Sequence, residues 1–162
     1  MAIATTPLNT PNKVNNFRPA DDQWETVLLP FKASTAIAQG AAVWVEIVTN
    51  NVTWNLTLMG VQNAAGADFV GIMAEPIAST DADYATAGKL KAVKVPTSTK
   101  STAFFTVGAG TFTAADLFRT ARFHTDSLGL AVDTIGLGAR IVGYISSTRG
   151  ICEFSCATTM TA

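Results

Sequence analysis

His124 is the only histidine of the 162 residues, so a neutral-pH general base would have to be this ring. No patterned partner accompanies it. No serine stands in a G-x-S-x-G elbow and no C-x-x-C occurs. Following Phe123 in a charged segment, His124 reads as surface or structural. Asp81 and Asp83, with Glu75 nearby in sequence, offer oxygen ligands for calcium, but Tyr84 and Ala85 add no donors, and a solvated loop is the simpler reading. Gly108-Ala109-Gly110-Thr111 has the glycines of a phosphate cradle without the lysine that reaches the phosphates, so it reads as a turn. Cys152 and Cys156, four apart on a strand, would share a face about 13 Å apart, beyond disulfide reach. With one histidine they cannot complete a zinc quartet, and both read as free buried thiols. Asn51-Val52-Thr53 and Asn55-Leu56-Thr57 match the glycosylation pattern, but Met1-Ala2-Ile3-Ala4 opens no secretory leader, so they read as ordinary strand residues. The chain is therefore expected not to be an enzyme, with no cofactor and no metal.

Composition narrows the class further. Charged residues are 14%, hydrophobic residues 48%, and the net charge is -1. There is no basic footprint for direct nucleic-acid binding and no stretch long enough to span a membrane by helix. Lys89, Lys91, Lys94 and Lys100 lack interleaved aromatics and read as protection for an edge strand. A surface this poor in charge points to burial against other protein.

The elements that must position any site are short and β-rich. Residues 1–22 are rich in Asn, Pro and Thr, lack periodicity, and read as an extended N-terminal arm. Residues 23–162 read as a single β-domain. Strands are expected at 24–31, 33–37, 42–48, 52–59, 69–74, 90–95, 102–107, 130–134, 140–145 and 151–156, from alternation and turn signals such as Asn50-Asn51. This spacing predicts an all-β barrel or sandwich of short antiparallel strands. Thr113 and Asp116 have capping-box spacing ahead of Leu117, Phe118, Ala121 and Arg122, which predicts at most one short helix; Thr120, Phe123 and Thr125 also suit a strand.

Two stretches echo one another: Gly66 to Met73 (GADFVGIM) and Gly138 to Ile145 (GARIVGYI). Gly66 and Gly138 sit at the turn into each strand. Gly71 and Gly143 sit mid-strand, where glycine marks a bend, a bulge or a close backbone approach. The physical reading is two equivalent strands in one barrel-like fold. Aromatics supply the interaction candidates. Phe17, with Arg18 beside it, is an isolated aromatic in a polar arm and reads as an anchor into a neighbouring subunit. Trp24, Trp44 and Trp54 are interface candidates, with core packing as the alternative.

Leu29 to Val43 (LPFKASTAIAQGAAV), GADFVGIMAEPIA at 66–78 and GARIVGYISS at 138–147 resemble the small β-rich capsid decoration (cement) proteins of tailed bacteriophages. The resemblance spans about residues 27–155 and carries no catalytic signature. The arm and the insert at 111–126 depart from its shortest members. The resemblance implies a homotrimer on the outer surface of an assembled capsid, put together in the host cytoplasm, that bridges major capsid protein subunits against internal DNA pressure. The arm would contact a neighbouring subunit. Other readings stay open: a carbohydrate- or ligand-binding β-sandwich using Trp44 or Trp54, or another virion part such as a tail-tube subunit.

Overall fold

The computed structural model describes residues 16–48, 53–58, 69–86, 88–98, 100–135 and 138–154. The fold is all-β in two sheets. The strands are β1 (Arg18–Pro19), β2 (Trp24–Pro30), β3 (Ala42–Val48), β4 (Thr53–Leu58), β5 (Phe69–Met73), β6 (Leu90–Pro96), β7 (Ser101–Ala109), β8 (Thr120–Phe123), β9 (Leu130–Ile135), β10 (Gly138–Ser146) and β11 (Arg149–Phe154). One sheet runs β2-β6-β5-β3-β4. The other runs β1-β7-β11-β10-β8-β9 and closes on itself through a parallel β7–β9 pairing.

The two sheets are copies of one topology. Replacing β2, β3, β4, β5 and β6 by β7, β8, β9, β10 and β11 turns the first order into the second. β7 begins at 101 where β2 begins at 24, β8 at 120 where β3 begins at 42, and β9 at 130 where β4 begins at 53, a spacing of about 77 residues. The closing contact is repeated as well, since β2 and β4 bring Cα atoms within 8 Å of each other. The chain is thus two five-strand units in tandem. The echoed segments lie on the equivalent strands β5 and β10, but in different units and about four residues apart in register. Ile72 faces Ala42 at the start of β3, whereas Arg140 faces Thr120 at the start of β8.

Alternation along the strands divides the core. Val43, Met73 and Val93 join Phe31, Ile37, Ala41 and Ile77 inside the first unit. Their neighbours Ala42 and Ile72 face the other way, into a cluster with Phe105, Phe112, Phe123, Leu130, Ile141, Cys152 and Phe154 of the second unit. This shared cluster fastens the units together.

Three expectations are corrected. Residues 33–37 form no strand: Ser34 adopts φ +58 and is tied to Tyr84 by Ser34 N to Tyr84 O (2.8 Å) and Tyr84 Oη to Ser34 O (2.8 Å), leaving a lone Ile37–Ile77 bridge. The helix after Thr113 is one 3-10 turn, Ala114–Asp116. Its capping box forms, with Asp116 Oδ2 accepting from Thr113 N (2.8 Å) and Thr113 Oγ1 (3.0 Å), but Phe118 N then turns to Ile141 O (2.7 Å) and the chain enters β8. The lysine-bearing strand is no edge, because β6 lies between β2 and β5. Lys94 donates to Thr26 Oγ1 (2.6 Å), and Lys91 stands 4.0 Å from Asp83.

The glycines at the echo behave unequally. A Cβ on Gly71 would overlap the Lys94 carbonyl oxygen, and one on Gly138 would overlap that of Ala121. A Cβ on Gly143 meets only the Ile151 side chain, at 3.1 Å and beyond. Both mid-strand glycines follow a one-residue bulge: Val70 is the extra residue opposite β3, and Val142 the extra residue opposite β11. Gly66 lies outside the described residues.

Candidate interaction surface

Residues 16–24 form a strap across both units. Phe17 N donates to Gly40 O (3.0 Å), and the Asn16 amide donates to the Gln39 carbonyl. Gly40 makes this approach possible: it holds φ +80, and a Cβ there would strike Asn16. The strap then pairs with the second unit, Arg18 opposite Phe104 and Pro19 opposite Ala103. Ala20 N continues the ladder to Thr102 O (2.9 Å).

Phe17 is 2% exposed, inside the shared cluster, edge-on to Phe123 (5.8 Å) and Phe154 (5.7 Å). Its reading as an anchor into another subunit is corrected: the ring fills its own chain's seam, because the strap is hydrogen-bonded to both sides of it. For the same reason residues 16–22, assigned to the arm from sequence, are part of the β-domain. Residues 1–15 lie outside the described residues. Arg18 is exposed and lies over the Phe104 ring, 4.7 Å from its centroid. Trp24 is half-buried against Phe154 (5.7 Å) and donates Nε1 to Thr102 O (3.0 Å), so it packs within the chain too. Trp44 is also half-buried against the shared cluster, and its Nε1 is buried with no hydrogen-bond partner among the described residues. Neither is an open aromatic platform. Trp54 pairs with Ile47 through its backbone; its side chain lies outside the described residues.

Asp21 locks the strap. Its Oδ2 accepts from Thr102 N (2.7 Å) and Thr102 Oγ1 (2.6 Å), and its Oδ1 accepts from Gln23 N (3.0 Å). Burial works against the charge, but the Thr102 hydroxyl and the Thr102 and Gln23 amides outweigh it and hold the carboxyl below 3.8. A lowered carboxyl stabilises the fold above the unfolded value and loses that contribution as pH falls through the folded one. Asp21→Asn is therefore expected to cost about 1 kcal/mol at pH 7, as lost charge-assisted hydrogen bonds partly screened by solvent. In urea melts the gap from wild type should close below pH 3.8; a gap that persists at pH 3 would contradict this role.

The chemical candidates are scattered. His124 Nδ1 lies 2.8 Å from Asp126 Oδ1 but out of line for a hydrogen bond, and the ring packs over Gly108. Asp81 Oδ2 accepts from Ala78 N (2.9 Å) and closes a turn. No group of three potential metal ligands occurs among the described residues. Cys152 is free and buried, and burial pushes its thiol well up; Cys156 lies outside the described residues.

The residue that sequence reasoning missed is Phe118. It is 67% exposed and holds φ +67, a left-handed conformation that costs a bulky side chain about 1–3 kcal/mol. Arg140 lies over its ring at 5.6 Å. Beside it Arg119 Nη1 donates to Asp116 Oδ1 (2.9 Å), and the Thr113 amide, ahead of this guanidinium, holds that carboxyl low. Leu28 and Leu90 are also exposed, at 61% and 53%, on the paired strands β2 and β6, as are Tyr144 and Ile145. Comparison with protein-family models, curated proteins and solved structures yields no match.

Proposed function

We propose that this chain is a structural protein without turnover that attaches to the outside of an assembled phage capsid and cements neighbouring major capsid subunits. The observation that carries the attachment is the set of large apolar side chains held outward on both rigid units, Leu28 and Leu90 on one, Phe118 and Ile145 on the other. Exposed apolar groups on a fixed scaffold are the usual material of protein contacts. The capsid as partner, the virion surface as location and the homotrimer come from the resemblance of segments 29–43, 66–78 and 138–147. A shell offers the same contact many times, so modest single contacts add through multivalency. Low surface charge makes such attachment less salt-sensitive than a charge-led one.

The test is co-sedimentation of the purified chain with assembled shells and, separately, with unassembled shell protein, at low and high salt. Binding to assembled shells alone, little changed by salt, is expected. A chain that stays in the supernatant with shells at every salt concentration would contradict the reading.

A further inference from the structure

The two units differ at one equivalent backbone position. Gly40, two residues before β3, has φ +80, and Phe118, two residues before β8, has φ +67. Each continues the sheet in the same way. Gly40 N donates to Met73 O (2.8 Å) and Met73 N to Ala41 O (2.9 Å), while Phe118 N donates to Ile141 O (2.7 Å) and Ile141 N to Arg119 O (2.9 Å). The fold thus requires a left-handed residue at this corner. The first unit meets the requirement with glycine, and the second places a bulky aromatic there. The coverage differs too. Gly40 is covered by Asn16 and Phe17 of its own chain, whereas the Phe118 side chain is two-thirds in solvent. An aromatic kept in a strained position and left exposed works against stability, a pattern expected of a contact residue.

We infer that Phe118 docks onto the Leu28–Leu90 face of a second copy of this chain, in a head-to-tail contact. Both surfaces are on the page as outward apolar groups, one on each unit, so each copy carries the knob and its acceptor. A self-contact with two different halves is heterologous and generates a ring when its rotation closes. The net charge of -1 leaves little repulsion between copies, and the corner equivalent to Phe118 is already covered by a segment of this same chain. The inference supplies the contact for the homotrimer in the proposed function and rests on that part of it. It is tested without shells, so its failure leaves the co-sedimentation result standing by itself.

The experiment is sedimentation velocity on the full chain and two surface variants, Phe118→Gly and Leu28→Glu, with thermal melts of each. Wild type should self-associate, and each variant alone should weaken association at least tenfold. Phe118→Gly should melt at or above wild type, since glycine relieves the strain. An equimolar mixture of the variants should form a one-to-one pair and nothing larger, because one intact knob meets one intact face. A monomeric wild type at 100 µM would overturn the inference, as would a Phe118→Gly chain that associates like wild type or melts well below it. Variants that stay monomeric when mixed would also overturn it. The 100 µM level is about a hundredfold above a micromolar contact, ample to populate it.

Discussion

Phe17→Ala is expected to destabilise the chain by about 3–5 kcal/mol, the range for truncating a fully buried phenylalanine. The ring is 2% exposed and touches Phe123 and Phe154 edge-on, in a cluster that also holds Ala42 and Ile72 of the first unit. Removing it opens a cavity on the seam that joins the two halves, and the hydrogen bonds fixing the strap on Gly40 and Thr102 prevent collapse into the gap. A domain of this size is stable by roughly 5–15 kcal/mol, so much of the margin would go. Urea melts should show the loss. If the units depend on the seam, the variant's transition also broadens or splits. A loss below 1 kcal/mol would mean that Phe17 is not a wedge.

Gly138→Ala is expected to cost about 3 kcal/mol or more, while Gly143→Ala stays below about 1.5 kcal/mol. Both glycines lie on β10 in the echoed segment, so sequence alone does not rank them. At 138 a methyl group would overlap the carbonyl oxygen of Ala121 and press on Arg122 Cα at 2.9 Å, and backbone on a paired strand cannot retreat without breaking the β8–β10 ladder. At 143 the obstacle is the Ile151 side chain, which can rotate away. Equal melting temperatures for the two variants would contradict this account of the β8–β10 corner.

Strands were legible where alternation was strong. β3, read from Val43, Trp44 and Val45, has its expected limits at Ala42–Val48, and β6 extends the expected strand by only one residue, to Pro96. What failed was non-local. The order of strands depends on pairings between residues far apart in the chain, so neither the tandem duplication nor the interior place of β6 could be read from Lys89 to Lys94. The β8 error has a local cause. Thr113 and Asp116 do form the capping box, but the Phe118 amide is taken by Ile141 of β10, and a sheet bond made across the fold overrides helical spacing. Phe17 shows the same limit: a polar neighbourhood marked an arm, whereas a glycine 23 residues later provides its seat. Phe118 carried no signal, since a left-handed conformation at a phenylalanine is visible only in the backbone.

The account's central claim is that this chain works by attachment to the outside of a shell rather than by chemistry. Cryo-electron microscopy of shells incubated with the chain tests it most directly. The account predicts density for two joined five-strand units on the outer surface, repeated at symmetry-related positions, with Leu28, Leu90 or Phe118 in contact with protein. Shells whose outer surface is bare at saturating concentrations of a folded chain would contradict it.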